Sequence, residues 1–380
     1  MTTLSYWLDA PYESRPALQG DVEVEACVIG AGVGGLACAR RLAEHGVDTL
    51  VLERDTVAGG ASGRNGGFLL AGLAAFYPDA RERHGPEQAR RTYARTLAAQ
   101  EEIYALAREL EVADAVRRTG LLRVAASQEE AEHVRAHVAM LNADGFPGRL
   151  VERDDLPAAL RRGFHNACLT EHDGALQPAR WVRALARAAE QAGARIHERT
   201  RASAPVGAAE VATDNGTVRA EHVVVAADGA LEALTPGVPV RTRRLHMVAT
   251  ERLPERLVDC PVYARWGYEY FQQTPDGRLL AGGFSDLDAE ASYTDRDEGN
   301  PDVWDRIERY LAEDLGIQVP ITHRWVGTVG YSEDGLPVVG EHGGVYVAGG
   351  YSGHGNVLGY LAGQELADRI AAVRGSPPGG

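Results

Sequence analysis

Short apolar runs and amphipathic segments alternate near the start of the chain. The apolar run 26–29 leads into Gly30-x-Gly32-x-x-Gly35, and a helical pattern follows over residues 36–45. A second apolar run, 49–52, leads to Glu53. This order predicts a strand, a tight turn, a helix and a strand that ends in an acid. It is the arrangement that holds a dinucleotide pyrophosphate at a helix N-terminus, with the acid on a ribose.

The same alternation continues along the chain. Apolar periodicity predicts helices over 86–110, 128–141, 178–193, 301–315 and from the glycine-rich run 349–355 to about 373. Apolar runs predict strands over 120–125, 195–198, 222–227, 245–250, 262–266, 269–273, 278–283 and 345–348. Nucleotide-binding sequence is therefore interrupted twice. We expect one domain from 1–80, 147–235 and 322–380, a substrate domain from 81–146 and 236–321, and a pocket where the domains meet.

Composition narrows the class of protein. The net charge of −15 argues against nucleic-acid binding, which needs a basic surface. No apolar run approaches the roughly 18 residues that span a membrane, and the polar first 20 residues do not form a signal peptide. Four scattered cysteines predict buried thiols and no metal site. These features predict a cytoplasmic enzyme. All 39 basic residues are arginine, which excludes a lysine base or Schiff base.

Four segments carry a family resemblance. They are the N-terminal fingerprint, the run 59–67, the Asp228-Gly229 strand end, and the turn 334–337 together with 349–355. Together they resemble the FAD-dependent amine and amino-acid oxidoreductases that include D-amino-acid oxidase, glycine oxidase and sarcosine oxidase. The run 61–67 and the leader 6–9 most closely resemble the γ-glutamylputrescine oxidoreductase branch.

The resemblance implies an α/β fold. It consists of a discontinuous, Rossmann-like FAD-binding domain and an α+β substrate domain with an antiparallel sheet. The cofactor would be FAD rather than a nicotinamide, because a nicotinamide site does not need the second glycine-rich segment. It would be non-covalent, because the cysteine that covalent relatives carry near the 334–337 turn is missing. The implied FAD-binding residues are Gly30, Gly32, Gly34, Gly35, Glu53, Arg54, Ala61, Ser62, Arg64, Asn65, Gly66, Gly67, Ala227, Gly229, Gly353, His354, Gly355 and Asn356.

The implied reaction is hydride transfer from the carbon of a C–N bond to flavin, which leaves an imine for water to hydrolyse. The substrate would be a small amine, such as a γ-glutamylated polyamine, and oxygen the acceptor. Sarcosine-type enzymes bind an α-carboxylate with arginines and a lysine, where this chain has Gly67, Leu70 and Val357. The substrate therefore need not be an α-amino acid. Two alternatives stay open: an amine or D-amino-acid dehydrogenase with a quinone or carrier acceptor, and a flavin-binding protein without turnover. The chain would be a monomer or homodimer.

The strand 263–271 suits a substrate pocket. Alternation places Tyr268, Tyr270 and Gln272 on one side, with Trp266 joining them, where aromatic faces attract an amine. The alternative is that these aromatic side chains form core. Candidate catalytic residues are Tyr270, His246 and His354, and candidate substrate-binding residues are Trp266, Tyr268, Tyr331 and Tyr351. For His354, a packed structural histidine is the competing interpretation.

Overall fold

The computed structural model describes residues 4–204, 210–287 and 289–374. The chain forms two compact units. Unit 1 comprises Met1–Asp9, Arg64–Gln177 and Arg244–Gly327, and unit 2 comprises Ala10–Gly63, Pro178–Arg243 and Thr328–Gly380. The units differ in extent from the expected domains, because unit 1 includes residues 1–9, 64–80, 147–177 and 322–327, and unit 2 includes residues 236–243. The function assigned to each domain stays a prediction.

Helices and strands alternate along much of the described chain. The α-helices are α1 (Val33–Glu44), α2 (Tyr77–His84), α3 (Pro86–Glu109), α4 (Gln128–Ala143), α5 (Pro178–Gln191), α6 (Leu231–Leu234), α7 (Pro301–Arg309) and α8 (Gly355–Arg374). The strands are β1 (Val22–Ile29), β2 (Thr49–Leu52), β3 (Phe68–Leu69), β4 (Val116–Arg118), β5 (Leu121–Val124), β6 (Arg149–Glu152), β7 (Asn166–Thr170), β8 (Gly174–Leu176), β9 (Arg195–His197), β10 (Glu210–Thr213), β11 (Gly216–Val225), β12 (Val240–Arg252), β13 (Val262–Ala264), β14 (Glu269–Gln273), β15 (Arg278–Gly283), β16 (Ile321–Ser332), β17 (Val338–His342) and β18 (Val345–Gly349).

Unit 2 is built on a mainly parallel sheet with the order β17-β18-β11-β1-β2-β9, and β10 pairs with β11. Strand β1 runs parallel to both neighbours, so that Val28 aligns with Val224 on one side and Val51 on the other. Residues 26–29 of β1, 50–52 of β2 and 223–225 of β11 are apolar and buried on both faces, as expected for a parallel sheet that helices cover.

Two helices of unit 2, α1 and α8, pack closely along their lengths. A Cβ at Gly363 would overlap the carbonyl oxygen of Gly34, and a Cβ at Gly359 would lie 3.0 Å from the side chain of Val33. The approach depends on glycine, because a larger residue at either position would push the helices apart. The packing fixes where the first turn of each helix lies within unit 2.

Unit 1 is built on an eight-stranded sheet with the order β16-β12-β15-β14-β13-β5-β7-β6. Its pairings are mostly antiparallel, with β5 and β13 parallel. Helix α7 buries Val303 and Ile307 in a core with Phe271 and Phe284. A small sheet, β3-β8-β4, belongs to the same unit. A parallel sheet in one unit and an antiparallel sheet in the other confirm the predicted fold class.

The strand predicted over 262–266 is shorter in the structure. Strand β13 ends at Ala264, because Arg265 and Trp266 adopt left-handed conformations with φ of 48° and 57°. A tight turn over Arg265–Gly267 then leads into β14. Strand alternation therefore does not extend back from Tyr270 to Trp266.

Candidate active site

The first element of the candidate site is the turn between β1 and α1 in unit 2. A Cβ at Gly35 would overlap the carbonyl oxygen of Gly30. Gly30 itself has φ of 109°, and a Cβ there would lie 2.7 Å from the carbonyl oxygen of Ala226. The N-cap residue Gly32 makes no side-chain capping bond, and the first turn of α1 contains no acid. This backbone fits a pyrophosphate, because helix N-termini present N–H donors and a positive dipole end to an anion.

Ser62 lies against the same helix start. The backbone N–H of Val33 donates to Ser62 Oγ over 3.0 Å. A Cβ at Gly32 would lie 2.8 Å from that hydroxyl oxygen, so glycine is needed for the approach. The short helical turn Ala61–Gly63 is thereby held at the opening of α1. The structure thus brings the predicted residues Gly32 and Ser62 together.

Glu53 follows β2, as predicted, and is buried. Its Oε2 accepts from the backbone N–H of Ala31 and its Oε1 from that of Asp55, both over 2.9 Å. Burial raises the pKa of this carboxyl group, and the two backbone donors oppose the rise. Each carboxylate oxygen has a second lone pair that fits a ribose hydroxyl. The neighbouring Arg54 forms an ion pair of 3.3 Å with Asp55.

A second helix opening lies at the same edge of the sheet in unit 2. Strands β1 and β18 both run parallel to β11, so their carboxyl ends meet at one edge. Helix α8 begins at Gly355, its first turn contains no acid, and Gly353 is exposed. The buried His354 donates its backbone N–H to the carbonyl oxygen of Tyr351 over 2.9 Å. The two glycine-rich openings predicted from the sequence are therefore neighbours along one sheet edge.

Asp228 is a residue of this edge that the predicted site omitted. Its Oδ1 accepts from the Gly350 N–H over 3.0 Å and its Oδ2 from the Gly330 N–H over 3.1 Å. Burial raises the pKa of this carboxyl group to about 6. Through these hydrogen bonds, the Asp228 side chain links the end of β11 to the glycine-rich segment that precedes α8. Its position between the predicted Ala227 and Gly229 was the available signal.

Tyr331 and Tyr351 occupy different surroundings in unit 2. A Cβ at Gly34 would lie 2.9 Å from the Tyr351 hydroxyl oxygen, which places this side chain against α1. Burial raises the pKa of the Tyr351 hydroxyl well above its usual value. Tyr331 is half-buried, and the guanidinium carbon of Arg243 lies 5.3 Å from its ring centroid. Tyr351 is therefore buried against α1, and the substrate-binding role expected of both tyrosines stays a prediction.

In unit 1, side chains hold the backbone of the predicted flavin-contacting segment Arg64–Gly67. Trp325 Nε1 donates to the Arg64 carbonyl oxygen and Trp7 Nε1 to the Asn65 carbonyl oxygen, each over 2.8 Å. Gln272 Nε2 donates to the carbonyl oxygens of Gly66 and Gly67. These bonds fix the segment, because each satisfies a backbone carbonyl that would otherwise need water.

The side chain of Arg64 has protein partners. Its Nη1 donates to the Val326 carbonyl oxygen over 3.1 Å and pairs with Asp297 Oδ1 at 3.2 Å. The sequence predicted phosphate or flavin oxygens as its partners. That role stays a prediction, and the observed contacts link Val326 and Asp297 to the Arg64–Gly67 segment.

Tyr270 is the candidate catalytic residue that the structure places beside this segment. A Cβ at Gly66 would lie 3.2 Å from the Tyr270 ring, and a Cβ at Gly282 would lie 2.6 Å from it. Phe68 meets the ring edge-on at 6.0 Å between centroids, and Tyr263 lies 6.3 Å away. Gly66, Phe68, Tyr263 and Tyr270 therefore form an aromatic slot within unit 1.

Trp266 and Tyr268 lie at the tight turn that precedes β14. The left-handed turn directs Trp266 onto Phe76 and His133, at 5.2 and 4.6 Å between ring centroids. Tyr268 lies beneath the guanidinium of Arg265, 5.8 Å from the ring centroid. Their side chains stay 39% and 38% exposed. The continuous strand assumed for this row was wrong, because Arg265–Gly267 form a turn, and the substrate-binding role of Trp266 and Tyr268 stays a prediction.

His246 is buried against α7. Its Nε2 accepts from the backbone N–H of Asn300 over 2.8 Å, and its ring meets Trp304 edge-on at 5.6 Å. This bond engages one ring nitrogen of His246, and the acid–base role expected of the residue stays a prediction.

Neither a membrane-crossing helix nor a metal centre is found in the described part of the chain. None of its helices is both long and apolar enough to cross a bilayer. Over the same residues, histidine, cysteine and carboxylate side chains nowhere gather into a group of three or more suited to a metal ion.

Comparison with known proteins agrees with the geometry. The chain is 30% identical over 383 residues to the probable oxidoreductase OrdL of Rhizobium meliloti, covering 95% of this chain and 87% of the relative. It is 27% identical over 393 residues to γ-glutamylputrescine oxidoreductase of Escherichia coli, covering 97% and 89%. The crystal structure of glycine oxidase from Geobacillus kaustophilus has the same fold, with a TM-score of 0.78 at 24% identity, covering 92% and 95%.

A family model settles the class of protein. The model described as DAO, FAD dependent oxidoreductase, matches residues 25–369, which include both glycine-rich helix openings. The backbone at those openings fits the pyrophosphate and the ring system of such a cofactor. The chain therefore belongs to the DAO family of FAD-dependent oxidoreductases, and its cofactor is FAD.

Proposed function

We propose that this protein oxidises the C–N bond of a primary or secondary amine of the γ-glutamylputrescine type, with oxygen as the acceptor. The 27% identity to γ-glutamylputrescine oxidoreductase over 97% of the chain supports this substrate class. A primary amine, oxygen and water would give an aldehyde, ammonia and hydrogen peroxide. Each turnover transfers a hydride, which is two electrons and one proton, from the carbon of the C–N bond to the flavin. Water then hydrolyses the resulting imine.

The observation that carries the proposal is the aromatic slot of unit 1. Tyr270 lies against Gly66, and Phe68 and Tyr263 surround its ring. Aromatic faces attract an alkylammonium by about 0.5–2 kcal/mol and also exclude water. The cation–π attraction by itself stabilises the ammonium, whereas the exclusion of water disfavours the charged form; because desolvation shifts the pKa of a fully buried amine by up to about 3–5 units, burial favours loss of the proton. The neutral amine is the form that can give up a hydride.

FAD, when bound, supplies the two-electron acceptor for this oxidation. Within unit 2, Gly30, Gly32 and Gly35 would hold its pyrophosphate at the start of α1, and Glu53 its ribose. The start of α8, with Gly355 and Asn356, would stabilise negative charge on the reduced ring system. Gln272 holds the backbone at Gly66 and Gly67 in place, so that Tyr270 keeps its position beside the segment.

We infer non-covalent FAD and a cytoplasmic location. All four cysteines are buried free thiols, which supports both proposals, since a covalent thioether needs a reachable cysteine and buried thiols suit a reducing compartment. Denaturation with acid or detergent is expected to release all of the flavin into the supernatant. Flavin that stays with the polypeptide on a denaturing gel would contradict the non-covalent proposal.

The decisive experiment is anaerobic titration of the yellow holoenzyme with a panel of amines and amino acids. γ-Glutamylputrescine is expected to bleach the flavin absorbance and, on admission of air, to yield hydrogen peroxide. Putrescine, glycine and sarcosine serve as comparison substrates. No bleaching by any member of the panel would favour a flavin-binding protein without amine turnover.

The missing lysine favours a second candidate function. Sarcosine-type enzymes place a lysine over the flavin for the reaction with oxygen, and this chain contains none. A dehydrogenase that passes electrons to a quinone or a carrier protein would not need that group. Dye reduction without oxygen uptake or peroxide would favour the dehydrogenase, and stoichiometric peroxide would favour the oxidase.

A further inference from the structure

A cavity of about 30 Å³ lies inside unit 1, apart from the aromatic slot. Its lining comes from the segment that follows β3 and from α3, α4, β5 and β7. The polar lining residues include Tyr77, Tyr93, Arg123, His137, Thr170 and Asp173. One buried water needs about 10–15 Å³, so the cavity accommodates two oxygen-sized atoms.

Arg123 brings a buried positive charge to this cavity. The residue is 9% exposed, and its guanidinium carbon lies 4.7 Å from the Phe76 ring centroid and 5.2 Å from that of Tyr263. Among the residues that the structure describes, its guanidinium has neither an ion-pair partner within 4.0 Å nor a side-chain hydrogen bond. A buried charge without an acidic partner is costly, and an anionic ligand would remove that cost.

His137 adds a second donor. Its Nδ1 accepts from the backbone N–H of Tyr77 over 2.9 Å, which places the ring proton on Nε2. Burial and the nearby Arg123 lower the pKa of this imidazole well below its usual value, so the ring stays neutral. A neutral ring with a protonated Nε2 donates a hydrogen bond without adding a charge.

The one carboxylate of the lining, Asp173, is already satisfied. Its Oδ1 accepts from the Ala71 N–H and from Gln100 Nε2, each over 2.8 Å, and its Oδ2 accepts from Thr170 Oγ1. Asp173 also forms no ion pair within 4.0 Å with Arg123 among the described residues, so its bonds go to neutral donors and leave the guanidinium donors to a ligand. The cavity therefore offers the N–H donors of Arg123 and His137 to a ligand. A carboxylate fits a guanidinium, because its two oxygens can accept two parallel N–H bonds.

We propose that Arg123 and His137 form a binding site for the carboxylate of an amine substrate, remote from the carbon that is oxidised. This inference rests on the proposed function. Tyr263 contacts both Arg123 and Tyr270. The ring of Tyr263 would therefore separate the bound carboxylate from Tyr270, beside which the amine is oxidised. A γ-glutamyl amine carries a carboxylate at such a distance from its terminal amine, whereas a simple diamine carries none.

Calorimetric titration of the holoenzyme tests the site without turnover. The probes are glutarate and its uncharged analogue glutaramide, and the variant is Arg123→Gln. Arg118→Gln is the matched control, since Arg118 also lies over an aromatic ring, Tyr104 at 4.5 Å, but pairs with Glu101 outside the cavity lining. Wild type and R118Q are expected to bind glutarate and not glutaramide, and R123Q to bind it about tenfold or more weakly.

Equal glutarate affinity in wild type and R123Q, or no binding to wild type, would overturn the proposal. If R123Q does not retain FAD, the titration is repeated with Arg123→Lys. This variant keeps the positive charge but lacks the two parallel N–H donors of a guanidinium. Its glutarate affinity is expected to fall several-fold, and unchanged affinity would equally overturn the proposal. In steady state, the KM for γ-glutamylputrescine is expected to rise about tenfold in R123Q, with little change for putrescine.

The two proposals fail in different ways. Glutarate binding that depends on Arg123, without flavin reduction by any amine, would sink the proposed function and leave the carboxylate site standing. Flavin reduction by γ-glutamylputrescine, together with unchanged glutarate binding in R123Q, would support the proposed function and overturn the carboxylate site.

Discussion

The hydroxyl oxygen of Ser62 lies 3.0 Å from the backbone nitrogen of Val33 and accepts its hydrogen bond. A residue almost thirty positions along the chain thereby caps the first turn of α1. The first turn of a helix has N–H groups without partners in the helix, and Ser62 satisfies one of them while Gly32 leaves space for its approach.

We predict that Ser62→Ala lowers the free energy of unfolding by about 1 kcal/mol, the usual value of a lost helix cap. FAD is expected to bind more weakly, because the Ala61–Gly63 turn is no longer held at the helix opening. Urea unfolding of the apoprotein gives the first quantity, and fluorescence titration with FAD the second. Ser62→Thr keeps the hydroxyl and is the control. Equal FAD affinity in S62A and wild type would contradict the role at the cofactor.

Gly35→Ala is expected to abolish FAD binding. The added Cβ would overlap the carbonyl oxygen of Gly30, which is backbone and cannot rotate away. Gly60→Ala is the matched control, because a Cβ there meets nothing within 4 Å. Both variants are purified and their flavin content measured from absorbance. A yellow G35A protein with full flavin content would contradict this prediction, because it would show that the turn can shift to accommodate the added Cβ.

Asp228 is expected to make stability depend on pH between about 4 and 6. Its pKa is raised to about 6 in the folded protein, against about 3.9 for an unfolded aspartate, so the folded state binds more protons in this interval. The contribution of Asp228 is therefore fully present below about pH 4 and is lost as pH rises to about 6. The expected loss is on the order of 2 kcal/mol.

Urea unfolding of wild type and Asp228→Asn from pH 4 to pH 7.5 checks this dependence. The variant cannot titrate at this position, so the stability of wild type relative to D228N is expected to fall as pH rises through the interval and to level off above it. A difference that stays constant with pH would rule out the raised pKa.

Gln272→Leu is expected to slow flavin reduction by the amine at least severalfold, with FAD retained. The variant loses the bonds to the carbonyl oxygens of Gly66 and Gly67 beside Tyr270. Gln273→Leu is the matched control, since Gln273 is the next residue of β14 and bonds instead to Leu257 and Glu255. Stopped-flow measurement of the rate of flavin reduction distinguishes the two variants. If both variants slow the reaction equally, the effect comes from lost stability and not from the position of the segment.

Local motifs explain why the FAD-binding unit was predictable from the sequence. Gly30 to Glu53 is a contiguous stretch, and its turn allows few backbone conformations other than the one observed. The aromatic row was less predictable, because its geometry depended on Arg265 and Trp266 continuing a strand that they end. Arg123 and His137 belong to no motif. Tertiary packing of β5 and α4 brings them to one cavity, and neither the spacing nor the type of these residues signals it.

The leader of the chain has a practical consequence. Trp7 holds the Asn65 carbonyl oxygen, while Tyr6 lies under Arg278 and Asp9 meets His323 at 3.0 Å. Trimming the first nine residues to obtain a smaller protein would remove these contacts, and we expect preparations trimmed in this way to lose part of their yellow colour.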